Sequence, residues 1–374
     1  MNILIDCTQI QKHKVGVGIY AIETFSRISR ISSDHVYFWL LQDDDDEFDR
    51  GLLYGHKLRV KSKFFRMFIP RFLLEQFYIP FLCVKHKIDI LHSLHYSFPI
   101  LCPGVKRVVT IHDLTFFIYP QLHTPIKRYF FRFFTRLACK LADGIICVSN
   151  STKNDLQKYI HNIAAKVSVI PLAACIPSVS VETMRRVKLK FGIKNSFILF
   201  IGTLEPRKNI STLVKAYALL DERLKQENQL VLVGKKGWYY EEIFESIEAL
   251  NVASNVIVTG FVTQEEKFAL LASASVFVYP SIYEGFGLPV LEALGFALPV
   301  ITSNISSLPE VAGNAAVLVS PANANEISNA MSKCVSDISF RKQLSSKAVE
   351  QFKHFSWDYT AQNTLQIYDG LFKK

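Results

Sequence analysis

What most constrains this chain is a rhythm of short apolar runs, each closing on a small or turn-forming residue and followed by a longer amphipathic stretch. In the first half the runs are 1–7, 36–42, 89–94, 107–113, 144–149 and 166–172; in the second they are 196–202, 229–234, 255–260, 276–280, 299–303 and 315–320. Runs of this length rich in Val and Ile read as buried strands, and the helical periodicity between them, as in Gly18 to Ser29 and Ser151 to Tyr159, reads as crossover helices on a mostly parallel sheet. The expectation is an α/β protein made of two Rossmann-like, doubly wound parallel-sheet domains facing a central cleft. The rhythm lapses over 173–195, which marks a linker, so the domains are drawn at 1–180 and 190–353, with 354–374 a terminal helix that packs back across the domain junction.

Length and composition agree with two folded domains. The chain has 374 residues, 49% hydrophobic and 20% charged, which excludes a disordered chain. It contains no uninterrupted apolar run of about 20 residues, and it opens on a strand-like segment rather than a basic-then-apolar leader, from which a cytoplasmic protein is expected. Its seven cysteines are odd in number and never form a Cys-x-x-Cys pair, so they are read as reduced, mostly buried thiols. The net charge of +10 is uneven: residues 1–180 hold 23 Lys and Arg against 14 Asp and Glu, and within 51–140 the ratio is 15 to 3. There the cations alternate with aromatic rings, in 61–81 and again in 126–140. Two readings stand open: contact with an anionic membrane surface, or core helices whose Arg and Lys face water. Nucleic acid is not expected, because no recognition motif accompanies the charge.

The strongest chemical signal is Tyr-Glu-Gly-Phe-Gly-Leu-Pro-Val-Leu-Glu, 283–292, directly after the run 276–280. Glu284 and Glu292 are separated by seven residues, and Pro289 suits the start of a helix, so Glu284 should lie in the loop and Glu292 about one turn into the helix. Gly285 and Gly287 let backbone N–H groups approach a sugar hydroxyl or a phosphate, and a carboxylate can accept both hydroxyls of a diol. The bland alternative is an ordinary strand-turn-helix junction. The second signal lies in 200–209, where a strand ends at Gly202 and the basic pair Arg207 and Lys208 follows, suited to a diphosphate or simply to a solvated turn. In the first half, Gly16 and Gly18 could let a loop approach a ligand, and His112 ends another run; a lone His is more often structural. The acidic run Asp43 to Glu47 resembles a metal cluster but is read as a solvated loop. No metal spacing, P-loop or nucleophile elbow is found.

Taken in chain order, Gly16-Val17-Gly18, His112-Asp113, Arg207-Lys208 and Glu284 to Glu292 resemble glycosyltransferase family 4, the retaining GT-B transferases, and the wording of 202–209, 112–120 and 148–156 is most similar to bacterial mannosyltransferases of O-antigen and surface-polysaccharide synthesis. The resemblance implies that residues 1–180 bind the acceptor and 190–353 the nucleotide-sugar. It implies that Glu292 holds the donor ribose, that Glu284 with the amides of Phe286, Gly287 and Leu288 grips the donor sugar, and that Arg207 and Lys208 neutralise the leaving diphosphate. His112 is placed near the transferred sugar and Gly18 in the loop over the diphosphate. Thr203 stands where many relatives have an Arg. The implied donor is GDP-mannose, the acceptor a lipid-linked oligosaccharide, and the implied site needs no metal or cofactor. Peripheral contact with the cytoplasmic face of an inner membrane accompanies that acceptor. A GT-B nucleotide-sugar epimerase or hydrolase, a transferase using a UDP- or dTDP-sugar, and a noncatalytic sugar-binding protein remain alternatives.

Overall fold

A computed structural model describes residues 1–10, 14, 16–31, 34–45, 54–62 and 67–372. The chain divides into two compact units, Met1–Leu172 joined by the chain from Ser356 onward, and Ala173–Phe355. The first holds seven strands: β1 (Asn2–Asp6), β2 (Val36–Gln42), β3 (His56–Val60), β4 (Ile90–Ser93), β5 (Lys106–Ile111), β6 (Gly144–Cys147) and β7 (Lys166–Val169), in the order β3-β2-β1-β4-β5-β6-β7. The second holds six: β8 (Ser196–Ile201), β9 (Asn228–Val233), β10 (Val256–Gly260), β11 (Val276–Tyr279), β12 (Val300–Ser303) and β13 (Ala316–Val319), in the order β10-β9-β8-β11-β12-β13. Every pairing is parallel. Both sheets therefore start at a central strand, wind one way, return, and wind the other. That leaves a switch point between β1 and β4 and another between β8 and β11, where neighbouring loops diverge and a ligand crevice opens.

Strand β3 has no counterpart among the sequence runs. Its segment His-Lys-Leu-Arg-Val pairs with β2 alone and buries only Val60, which leaves almost no apolar run to read. Residues 173–195 are not a free linker. They belong to the second unit and contain the helix Val181–Lys190, which packs on the helix Gln264–Ser273 through Arg186–Glu265 and Lys190–Glu266 ion pairs. Few apolar residues mark that helix because only Val187 is buried. The terminal helix, Trp357–Gly370, belongs to the first unit and lies along Val17–Ile31. Its Tyr368 hydroxyl lies 2.5 Å from His92 Nδ1, whose Nε2 lies 2.8 Å from the Thr110 hydroxyl, a buried polar chain that fixes the helix against the ends of the sheet strands.

The acidic run keeps Asp43 exposed, as expected of a solvated loop, but departs from that expectation at Asp45. Asp45 is buried and forms an ion pair of 2.5 Å with the equally buried Lys14, while Asp46 and Glu47 lie outside the described residues. Of the cysteines, Cys175 is exposed and the other six are buried. In the basic-aromatic stretches, residues 63–66 lie outside the described ones; the rest form the helical run Phe68–Lys85 and the helix Pro125–Leu141. Among the described residues no helix is long and apolar enough to cross a membrane.

Candidate functional site

The second unit's switch point gathers most of the charged side chains that the sequence singles out. Loops leaving β8 and β11 are neighbours because those strands pair directly. The β8 loop runs into a tight turn at Pro206–Lys208, and Asn209 then adopts a left-handed backbone, φ +59°. Its side-chain amide donates to the carbonyls of Pro280 (3.1 Å) and Pro321 (2.7 Å). The Arg207 carbonyl in turn accepts from the Ile282 N–H at 2.9 Å and the Ser281 hydroxyl at 3.0 Å. The two loops are thus stitched backbone to backbone before any charged side chain is considered. Gly234 adds to the close packing of the strand tips: with φ +153°, a Cβ there would stand 1.8 Å from the Gly202 carbonyl oxygen.

On this frame Glu284 becomes a hub. Its Oε1 accepts from Lys208 Nζ at 2.5 Å, from the Tyr279 hydroxyl at 3.0 Å and from the Ser281 hydroxyl at 2.7 Å, while Oε2 accepts from Arg207 Nη1 at 2.9 Å. Burial pushes the carboxyl upward, but Arg207 and Lys208 outweigh it and hold the pKa at about 2. Glu284 is therefore an anion throughout the neutral range, an acceptor of hydrogen bonds rather than a carrier of protons. Burial, then the adjacent Arg207, lowers the Lys208 pKa, against the pull of Glu284 and Glu205. Burial followed by the Glu284 charge raises that of Tyr279, which stays protonated and donates.

Sequence reasoning missed Glu205, Tyr279 and Ser281. Glu205 is buried and binds Arg207 at 2.9 Å, so the cluster contains two cations and two carboxylates rather than a free cationic pair. The acidic residue stands two positions before Arg207 in the same motif and was the available signal.

Gly287 caps the helix Leu288–Gly295 with φ +110°, and a Cβ there would meet Leu308 Cδ2 at 2.8 Å, so both backbone and space demand glycine. Pro289 has no N–H, and the N–H groups of Val290 and Leu291 donate to the Gly287 carbonyl at 3.0 Å and 3.2 Å, which leaves the Leu288 N–H as the first-turn donor at the helix start. Ser307 fixes the preceding loop by donating to the carbonyls of Glu284 (2.9 Å) and Phe286 (2.7 Å), and Phe286 packs edge-on against Phe355. Gly285, Phe286 and Gly287 are buried, and Leu288 is half-buried. Glu292 lies in this helix but does not join the hub. Its Oε1 accepts from Lys267 Nζ at 2.6 Å, from the helix Gln264–Ser273, and among the described residues Oε2 carries no hydrogen bond. The two glutamates thus stand in two separate ionic settings. Each has its own lysine, and Lys267 had no motif to announce it.

In the first unit His112 follows β5. Its Nε2 lies 3.2 Å from the Leu94 carbonyl, which can only accept, so Nε2 carries the proton and Nδ1 is left with a lone pair. Burial lowers its pKa to about 4, against the raising influence of Asp113, so the ring is neutral at pH 7. Gly18 is the second residue of the helix Val17–Ile31, and its missing side chain is filled from its own loop: a Cβ would meet Lys14 Cδ at 3.0 Å and Ile10 Cγ2 at 3.2 Å. Gly18 thus serves the folding of that loop. Gly16, with φ +48° and open space around it, makes the turn; Val15 lies outside the described residues. Among the described residues no group of three or more His, Cys, Asp or Glu is arranged to hold a metal ion.

Comparison with known proteins follows the same division. Residues 180–351 match the model described as glycosyl transferases group 1, and residues 16–173 match glycosyltransferase family 4. The chain is 30% identical over 266 residues to O-antigen chain mannosyltransferase B of Escherichia coli, covering 70% of each. It is 32% identical over 289 residues to the serotype-specific mannosyltransferase WbdA of Escherichia coli, covering 75% of this chain but 36% of that protein, so it spans about a third of that relative. Among solved structures, the Anabaena protein HepE in complex with UDP-glucose shares the fold, with a TM-score of 0.78, 17% identity and 99% of each chain covered.

Proposed function

The chain belongs to glycosyltransferase family 4, and on that premise we propose that it is a retaining mannosyltransferase, moving mannose from GDP-mannose to a hydroxyl of a lipid-linked glycan in O-antigen-like polysaccharide synthesis. The mannose assignment is carried over from the names of the Escherichia coli relatives. The observation that carries the mechanism is Glu284, a buried anion held by Lys208 and Arg207 beside the start of the helix Leu288–Gly295.

In this reading Glu284 Oε2 accepts a hydroxyl of the donor hexose, which the amides of Phe286, Gly287 and Leu288 at the start of that helix help to grip. Glu292 accepts hydroxyls of the donor ribose through the oxygen that Lys267 leaves open. The bond between mannose C1 and the diphosphate oxygen breaks, GDP leaves, and the acceptor oxygen bonds C1 on the same face. The acceptor proton passes to the departing diphosphate, because Glu284 is too acidic to take it. Arg207 and Lys208 gain an anionic partner as charge develops, which is transition-state stabilisation by fixed groups and assigns the diphosphate to side chains instead of a metal ion. His112, neutral and with Nδ1 as acceptor, orients a hydroxyl. Gly202 and Gly18 contribute by close backbone packing. Contact of the basic N-terminal half with an anionic leaflet belongs to the same reading, since the proposed acceptor is a membrane lipid.

The test is a thermal-shift panel of GDP-, UDP-, dTDP- and ADP-sugars followed by transfer to a lipid-linked glycan with product anomer analysis. The expected outcome is stabilisation by GDP-mannose above the others and a product of unchanged configuration. Preferential stabilisation by a UDP- or dTDP-sugar would replace the donor, and donor turnover without acceptor would favour an epimerase or hydrolase.

A further inference from the structure

The first unit carries a surface that its own core does not use. Along the helical run Phe68–Lys85, Ile69, Leu73, Phe77, Phe81 and Val84 recur every three or four residues, and all are exposed, Phe77 at 69% and Val84 at 74%. This is one continuous stripe, and its opposite face, with Leu74, Ile79 and Leu82, is buried in the core. The middle of the run, Leu74–Tyr78, is a π-helical turn; its wider winding holds Leu73, Phe77 and Phe81 in one row at four-residue spacing and turns Glu75 inward, 1% exposed. The row borders an open apolar groove of about 700 Å³ with Lys61 on its edge.

The helix Pro125–Leu141 repeats the pattern. Phe134, Ala138 and Cys139 are buried, while Ile126, Tyr129 and Phe133 are 70%, 63% and 54% exposed. Phe72 joins the two helices, its ring 6.3 Å from Phe130 and 6.5 Å from Phe134. Exposed cations accompany both: Lys85 on the first, with Lys61 beside its groove, and Lys127, Arg136 and Lys140 on the second. The only acidic residue in either helix is the buried Glu75.

We propose that these two helix faces are the part of the protein that lies on an anionic lipid bilayer, with the Phe, Ile, Leu and Val side chains entering the acyl boundary and the lysines and arginines at the headgroups. The proposal rests on the reading above of a lipid-linked acceptor and names the face that meets the membrane. A bilayer is the occupant that charge selects. A surface with exposed rings, many cations and no exposed carboxylate on either helix complements anionic headgroups above hydrocarbon. A second copy of the same surface would be repelled by like charge, and no helix among the described residues crosses the membrane to do the work instead.

The experiment is co-sedimentation of the full chain with vesicles of phosphatidylglycerol and phosphatidylcholine, and with phosphatidylcholine alone, neither containing acceptor. The expected result is binding to the anionic vesicles only, released at about 1 M salt, where the Debye length falls to about 3 Å. Phe77→Ser with Phe81→Ser and Val84→Ser should weaken it at least tenfold. Lys127→Glu with Arg136→Glu and Lys140→Glu should weaken it by about a hundredfold or more, at roughly fivefold per cation removed. The replaced side chains are exposed, and an unchanged GDP-mannose thermal shift in each variant verifies its fold. Equal binding by wild type and variants, no binding to anionic vesicles, or a wild-type dimer in sedimentation that the apolar variant abolishes would each overturn the proposal. Absence of any donor shift in the wild type would instead sink the functional reading and leave the vesicle result standing.

Discussion

Glu75 and Glu284 are both buried carboxyls, one in each unit, and their surroundings shift their ionisation in opposite directions. Around Glu284, cations stand at 2.9 Å and 2.5 Å and hold the group ionised, with a pKa of about 2. Around Glu75, burial dominates and raises the pKa to about 7; the Ser97 hydroxyl at 2.6 Å and Arg71, at 3.8 Å, offset it only in part. The same α/β scaffold therefore presents an ionic cluster at one switch point and a mostly neutral set of His, Tyr, Ser and Thr groups in the other unit. Distance to a cation, more than depth of burial, decides which. An ionic cluster suits a diphosphate-bearing donor, and a neutral one suits hydroxyl groups.

The largest blow to this contrast is Glu284→Ala. It leaves Lys208 a buried cation without its carboxylate and Arg207 to Glu205, which should cost about 3–5 kcal/mol of stability in denaturant unfolding, together with most of the transfer activity. The sign is explicit in acid: the folded pKa lies below the ordinary 4.5, so the stabilisation is present above that pH and disappears as pH falls toward about 2. Lys208→Ala keeps Arg207 on Glu284 and should fold, with kcat/KM lower by about a hundred- to a thousandfold in steady-state transfer. A Lys208→Ala enzyme with normal turnover would remove the cluster from the chemistry.

On the other side of the contrast, Glu75 has a folded pKa above the ordinary 4.5, so the folded state keeps its proton longer and stability declines as pH rises from there to about 7. Glu75→Gln should abolish that decline, leaving the variant about 2–3 kcal/mol more stable than wild type at pH 8 and level with it near pH 4, read as Tm against pH. His112→Ala should lower kcat by about tenfold to thirtyfold with little change in Tm, since a hydrogen bond such as that to Leu94 contributes only about 1 kcal/mol to stability. The smallest effect expected is Lys267→Ala, which frees Glu292 to reorient and should raise the donor KM by about fivefold at constant kcat. A fall in kcat instead would move Lys267 from holding Glu292 to acting on the reacting groups.

What could be read in advance depended on how local the cause was. Strand runs such as 196–202 and 276–280 announce themselves because a central parallel strand is buried on both faces, and β3 escaped because only Val60 of its five residues is buried. Pro289 located the helix carrying Glu292 within a residue of its start, since the fit of proline to a first helical turn is a matter of immediate neighbours. The helix Val181–Lys190 was hidden in an apparent linker because burial of one valine leaves almost no apolar pattern to detect.

The sequence by itself determined the α/β rhythm, the two acidic residues around a glycine turn and the basic pair after Gly202, because each is written in adjacent residues. Only the tertiary structure decided who holds whom. Pairing of β8 with β11 brings Lys208 to Glu284 across 76 residues, and packing of one helix on another brings Lys267 to Glu292 across 25. Sheet order fixes such meetings, and no local pattern in the chain encodes them.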